Sequence, residues 1–174
     1  TVTGVQTLCS SDLPLLNPQE VAEAFVKLKA AGKVLYFGVS NFTPSQFNML
    51  QRHLPMPLVT NQIEVSLARV DPLFNGDLDL MLELGASPMA WSPLGGGKLH
   101  FDDQYWFAKA SSYNATYSQL ALAWLLKHPS NMFPIVGTTK PERIKESAKA
   151  IDIHLHQQDW FEMLKWAMGG KEMP

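Results

Sequence analysis

Four short apolar segments, each ending in a polar or aromatic group, constrain most strongly what this chain can fold into. The clearest is Val34-Leu35-Tyr36-Phe37-Gly38-Val39, which follows Gly32-Lys33 and stops abruptly at Ser40-Asn41-Phe42. Gln62 follows Leu58-Val59-Thr60-Asn61, Trp91-Ser92 follows Pro88-Met89-Ala90, and Gly137-Thr138-Thr139 follows Phe133-Pro134-Ile135-Val136. The segments are mostly apolar rather than alternating, as expected of strands buried on both faces in a parallel sheet. Strands of this kind that deliver polar groups at their carboxyl ends are how α/β barrels build sites.

Helix starts lie between them. Asn17-Pro18-Gln19-Glu20, Thr43-Pro44-Ser45-Gln46, Thr116-Tyr117-Ser118-Gln119 and Thr139-Lys140-Pro141-Glu142 each offer a side-chain oxygen cap, with Glu or Gln three residues on to return the bond. In two of them proline takes the first helical position, where its missing N–H costs nothing. The first helix places Val21, Ala24, Phe25 and Leu28 at helical spacing and stops at Gly32. A last amphipathic helix is predicted over residues 157–168. The order is strand and helix in alternation, which gives four βα units and an extra helix in one domain. The longest irregular stretch runs from Ser92 to about Ala115 and contains Gly95-Gly96-Gly97. Loops of that length are usually functional or mobile.

Bulk properties exclude several function classes. With 14 Lys and Arg against 16 Asp and Glu the net charge is -2, so nucleic acid is not an expected partner. A single cysteine, Cys9, rules out an intramolecular disulfide framework, and no apolar run reaches the roughly 20 residues that span a bilayer. A reducing, cytoplasmic setting is expected. His154 and His156 alternate like a ligand pair but bring no third ligand or carboxylate frame, and are read as exposed loop histidines.

In this order the motifs resemble those of the aldo-keto reductase superfamily. Gly32-Lys33-Val34 through Gly38-Val39-Ser40-Asn41-Phe42 is similar to its fifth strand, Asn61-Gln62-Ile63-Glu64 to its sixth, and Trp91-Ser92-Pro93-Leu94-Gly95-Gly96-Gly97 to its seventh. Leu120-Ala121-Leu122-Ala123-Trp124-Leu125-Leu126, then Pro134-Ile135-Val136-Gly137-Thr138-Thr139-Lys140-Pro141-Glu142-Arg143-Ile144-Lys145-Glu146-Ser147, resemble the seventh helix, eighth strand and nucleotide loop. The likeness runs from about Pro14 to the C-terminus. It implies an α/β chain that is the C-terminal half of a (β/α)8 TIM barrel binding NADP(H), with about four βα units plus a C-terminal helix.

By that resemblance Ser40, Asn41 and Gln62 grip the nicotinamide carboxamide, for which their hydroxyl and amides carry suitable donors and acceptors. From the residues alone, Ser40-Asn41 as a turn cap and Gln62 as a satisfier of barrel backbone remain open. Trp91 stands where the family stacks an aromatic ring, more often Tyr, on the nicotinamide; barrel-rim packing is the other use of such a side chain. Ser92, Leu94, Gly95, Gly96 and Gly97 would offer a hydroxyl and backbone N–H groups to the pyrophosphate, or form only a flexible turn. Thr138, Thr139, Lys140 and Arg143 surround a helix start that favours an anion. The resemblance sets Arg143 on the 2'-phosphate, which favours NADP over NAD, and Glu146 and Ser147 against adenine. Gly137 replaces a phosphate-binding Lys of some relatives, and many carry Asn at the position of Ser147. A solvated helix face is the alternative for Arg143 and Glu146.

The family's catalytic Asp, Tyr, Lys and His lie on strands before this stretch and have no counterparts here. His53, His128, His154 and His156 fall on or after predicted helices, and His100 lies in the long loop. Tyr36 is read as core; Tyr105, Tyr113 and Tyr117 belong to the loop or a helix start. Thr1-Val2-Thr3-Gly4-Val5-Gln6-Thr7 and Cys9-Ser10-Ser11-Asp12-Leu13 resemble translations, in two adjacent frames, of a sequencing-adapter oligonucleotide. Residues 1–13 are therefore expected to be a non-native leader before a partial barrel domain at 14–174, with a divergent native N-terminus as the alternative. The expected function is reduction of a small carbonyl compound or oxidation of an alcohol, with the chain as given inactive by itself. A non-catalytic nucleotide-binding or regulatory module is the alternative. Four strands of eight leave open edges, so a missing N-terminal half-barrel or self-association is expected, without nucleic acid or membrane as partners.

Overall fold

A computed structural model describes residues 3–9, 15–97, 99 and 104–172. Residues 10–14 and His100 lie outside the described residues. The chain runs β1 (Thr3–Cys9), α1 (Pro18–Ala30), β2 (Val34–Ser40), α2 (Pro44–His53), β3 (Leu58–Glu64) and α3 (Asp77–Leu84). It continues through β4 (Met89–Trp91), α4 (Gln104–Ser112), α5 (Tyr117–Leu126), β5 (Phe133–Pro134), α6 (Pro141–Ala148) and α7 (Gln157–Ala167). All five strands pair in parallel in the order β1-β2-β3-β4-β5. Each step to the next strand moves the same way, so right-handed crossovers put the helices on one face of the sheet and leave the other to strand side chains.

The four expected strands form, and a fifth, β1, lies within the segment read as a leader, pairing from Thr3 opposite Val34 to Cys9 opposite Ser40. Thr43 and Thr116 close reciprocal capping boxes with Gln46 and Gln119. Asn17 accepts from Gln19 N, but Glu20 receives its bond from the Asn17 side chain rather than from the backbone. The fourth box does not form. Pro141 is the first helical residue and holds Lys140 extended as the N-cap, so Thr139 lies outside the helix and Glu142 is one position too early.

Other expectations change where packing outweighs local pattern. The stretch from Ser92 to Ala115 contains α4, anchored by buried Trp106 and Ala110 one helical turn apart. In α1 the buried side is centred on Ala22 and on Phe25, which stacks on Phe37 at 4.1 Å, while Ala24 and Leu28 are exposed. The strands are not all covered on both faces: Leu35 and Tyr36 are 52% and 53% exposed, so Tyr36 is not core. Its neighbours Phe37 and Val39 are buried beneath the helices, and the pleat turns Tyr36 to the uncovered face. β5 keeps only Phe133 and Pro134 in the ladder, bonding through Phe133 N and Ile135 N because Pro134 has no N–H; Gly137-Thr138-Thr139 lies beyond it.

Two apolar clusters hold the layers together. Phe37, Val39, Phe42, Phe47, Leu50 and Met81 join β2 to α1, α2 and α3. Ile63, Val65, Trp106, Leu120, Trp124 and Met163 join β3 and β4 to α4, α5 and α7. Between β2 and β3 the register shifts at Gly38, where a Cβ would lie 2.4 Å from Thr60 Cγ2 and 2.8 Å from Thr60 O. Only glycine lets the two strands close there. Among the described residues no helix is long and apolar enough to cross a membrane.

Candidate functional site

Ser40 and Gln62 sit opposite each other in the β2–β3 ladder, and Glu64 sits opposite Trp91 in the β3–β4 ladder, so three strand ends converge. Asn41 turns the chain out of the sheet in the left-handed region at φ 57°, a conformation Asn tolerates better than most residues. Its N–H donates to Gln62 O at 2.9 Å, and Ser40 Oγ donates to the same carbonyl at 3.2 Å. The Trp91 indole Nε1 donates to Asn41 Oδ1 at 2.8 Å, and Asn41 Nδ2 reaches Ser40 Oγ at 3.4 Å. The two bonds fix the Asn41 amide and the plane of the Trp91 ring. The Gln62 side chain, half-exposed, makes no hydrogen bond among the described residues and is available to a ligand.

Asn61, a member of the strand motif with no site role expected of it, braces this corner. It is 2% exposed, its Nδ2 donates to Phe42 O at 2.7 Å and its Oδ1 accepts from Phe42 N at 3.3 Å. The available signal was an amide placed one residue before Gln62 in an otherwise apolar strand.

After Trp91, Ser92 is again left-handed at φ 48°, and Gly95, Gly96 and Gly97 have φ of 67°, 58° and 83°. Gly95 N donates back to Ser92 O at 2.8 Å, and Gly97 has nothing within 4 Å of the place a Cβ would take. Glycine at three successive left-handed positions leaves this backbone open to close approach by a ligand. Strained non-glycine backbone at both Asn41 and Ser92 belongs to the pattern found at ligand clamps.

The remaining predicted residues form a second group around the start of α6. Thr138 Oγ1 accepts from Lys140 N at 3.2 Å, and Gly137, Thr139, Lys140, Arg143 and Glu146 are exposed, with Ser147 half-buried. Arg143 enters no ion pair among the described residues. Glu146 Oε1 accepts from Thr116 Oγ1 at 3.0 Å. No hydrogen bond among the described residues joins this group to the Ser40–Trp91 network; the two are connected through β4, β5 and the glycine turn. His154 and His156 are both exposed.

A separate constellation of Lys109, Tyr113 and Asp159 ties α4 to α7. Lys109 Nζ pairs with Asp159 at 2.5 Å and Glu162 at 2.8 Å, Tyr113 donates to the other Asp159 oxygen, and His156 N donates to the Tyr113 hydroxyl at 3.0 Å. Burial and then the bond to Asp159 push the Tyr113 phenol above its ordinary value, which makes it a poorer proton donor than a free tyrosine. Burial works against the Asp159 charge, but the bonds from Lys109 and Tyr113 outweigh it and hold the carboxyl below its ordinary 3.8. A depressed carboxylate stabilises the fold above its unfolded value, and that contribution is lost as pH falls through the folded one. Thermal stability is therefore expected to fall below about pH 4, with a shallower acid limb in Asp159→Asn. Superimposable acid limbs for the two proteins would contradict this.

A parallel sheet with helices on one face and a polar cluster at the strand ends defines an α/β protein of the barrel-building kind. The chain belongs to the aldo/keto reductase family, an oxidoreductase family whose model matches residues 9–166. It is 43% identical over 163 residues to "Oxidoreductase YdhF" of Escherichia coli (strain K12), covering 90% of this chain and 55% of that protein. It is also 43% identical over 162 residues to "6-dehydroglucose reductase" of Agrobacterium fabrum, covering 90% of this chain and 54% of that protein. The crystal structure of a thermostable aldo-keto reductase in complex with the inhibitor epalrestat superposes with a TM-score of 0.86 at 25% identity, over 95% of this chain and 60% of that one. The chain thus spans about half the length of the curated relatives it matches.

Proposed function

We propose that this chain is the cofactor-binding, C-terminal half of a (β/α)8 barrel that uses NADP(H) to interconvert a small carbonyl compound and its alcohol. The observation that carries the reading is the network in which Trp91, Asn41 and Ser40 lock one another at converging strand ends beside an uncommitted Gln62 amide. The donor set fits a nicotinamide dinucleotide: an amide pair and a hydroxyl for a carboxamide, a fixed indole for a flat ring, a glycine turn open to close approach for a pyrophosphate, and Arg143, which has no ion-pair partner among the described residues, for a further phosphate. NADP(H), when bound, supplies or accepts the hydride.

The residues of this chain do the holding. Ser40, Asn41 and Gln62 orient the carboxamide, and Trp91 limits the ring to one plane. Ser92, Leu94 and Gly95 to Gly97 line the pyrophosphate, while Gly137, Thr138, Thr139, Lys140 and Arg143 take the ribose phosphate at the start of α6. Glu146 and Ser147 face adenine. By the resemblance the family's proton-donating tyrosine lies on a strand before this stretch, so the 174-residue chain is expected to show no turnover. In this reading the open sheet edges take a missing half-barrel or a second copy.

The test is a fluorescence titration of the purified chain with NADPH, beside NADH and beside Arg143→Ala. One charge-assisted contact to phosphate is worth about 1.5–3 kcal/mol, so Arg143→Ala should weaken NADPH by about ten- to hundredfold and leave NADH little changed. Equal affinities for the two cofactors in the wild type, or an unaffected Arg143→Ala, would defeat the NADP assignment.

A further inference from the structure

The helix that carries Arg143, Glu146 and Ser147 cannot stand by itself. α6 has eight residues, none of them buried, and its N-cap residue Lys140 makes no side-chain capping bond. Helices shorter than about 12–15 residues are marginal in water without tertiary support. Support comes from the first turn of α5. Gln119, 8% exposed, accepts from Thr116 N through Oε1 at 2.9 Å and donates through Nε2 to Glu146 O at 2.9 Å. Thr116 Oγ1 accepts from Gln119 N at 3.3 Å and donates to Glu146 Oε1 at 3.0 Å. Each side chain of the box has therefore one bond inside α5 and one to Glu146. The Glu146 carbonyl lies in the last turn of α6, where carbonyls lack intrahelical partners; Lys149 N supplies one bond and Gln119 the other.

We infer that the Thr116–Gln119 capping box is a positioning device for the nucleotide helix, setting the height and rotation of α6 so that Arg143 and Glu146 meet the adenosine end of the cofactor. The inference rests on the proposed cofactor reading for what α6 binds, and on the hydrogen bonds alone for how α6 is held. Thr116 also orients the Glu146 carboxylate directly. Neither Thr116 nor Gln119 needs to touch the ligand.

Gln119→Glu separates the two roles of the box, because Glu at this position still accepts from Thr116 N and caps α5 but has lost the donor to Glu146 O. Amide hydrogen exchange of the ligand-free 174-residue chain, wild type beside Q119E, Thr116→Val and Thr116→Ser, reads the dock. NADPH titration of the same four proteins reads its consequence. The expected result is about tenfold faster exchange at residues 144–148 in Q119E with the amides of α5 unchanged. About tenfold weaker NADPH binding should accompany it. Thr116→Val, at an exposed position, should move the same amides and the same affinity, and Thr116→Ser should restore both. Unchanged exchange in α6 for both Q119E and Thr116→Val would overturn the dock, as would joint loss of protection in α5 and α6 in Q119E, which keeps the α5 cap. Faster α6 exchange with undiminished NADPH affinity would overturn the positioning role. Failure of the wild type to bind NADPH, with the exchange pattern as expected, would defeat the cofactor reading and leave the dock standing.

Discussion

Replacing Trp124 by Ala is expected to lower the unfolding free energy by about 3–5 kcal/mol. The ring is 1% exposed and stacks on Trp160 at 5.1 Å with an interplanar angle of 8°. Each indole also donates to the other residue's carbonyl, Trp124 Nε1 to Trp160 O at 3.1 Å and Trp160 Nε1 to Trp124 O at 2.9 Å. Truncation removes the stacked surface and one of those bonds, leaving a cavity between α5 and α7 that their rigid backbones close only in part. Against a total stability of about 5–15 kcal/mol for a domain, that loss brings the chain close to unfolding at room temperature. Urea denaturation followed by far-ultraviolet dichroism measures it. Trp124→Phe, which keeps much of the packing and loses the indole N–H, should lose far less than the alanine variant. A change under about 1 kcal/mol in Trp124→Ala, the size of one hydrogen bond, would mean that the ring pair does not hold α7.

Asn61→Leu is the second large effect, and it reaches the candidate site. Both partners are buried, Asn61 at 2% and Phe42 at 1% exposure, so leucine would leave the Phe42 N–H and carbonyl without partners and out of reach of water. Each orphaned group costs about 1–3 kcal/mol. The combined loss is expected at about 2–5 kcal/mol, even though leucine is the more apolar residue. Phe42 follows Asn41 directly, so loosening it also frees the turn whose N–H is bonded to Gln62 O and whose amide oxygen takes the Trp91 indole. Denaturation should show the stability loss, and the near-ultraviolet dichroism of the indole should weaken under native conditions. A stable variant with an unchanged spectrum would show that the Asn61 bracket does not set the corner.

Much of the fold was legible because its signals are local. The capping boxes at Thr43 and Thr116 are bonds across three residues, and the side chains that make them stand in the sequence at that spacing. The strand segments announced themselves by apolar runs, and their polar ends marked Ser40, Asn41, Gln62 and Trp91 as a group. Where a local signal failed, a stronger local constraint had intervened: Pro141 moved the α6 cap from Thr139 to Lys140. The helix over Gln104–Ser112 was harder to see because Asp102-Asp103 before it bring no Glu or Gln three residues on to complete a capping box, although Trp106 and Ala110 sit one turn apart.

What the sequence determined by itself is the alternation of strands and helices, the identity of the side chains brought to the strand ends, and the family to which their motifs belong. Tertiary structure decided which of those side chains touch. Asn61 and Phe42 are 19 residues apart, Glu146 and Thr116 30, Trp124 and Trp160 36, and Trp91 and Asn41 50. A pairing at such separation is set by register and by how a helix lies on a sheet, both of which come from burial summed over many residues. No short stretch of chain contains that sum, so the exposure of Tyr36, the bracket at Asn61 and the dock beneath α6 became visible only once the layers were packed.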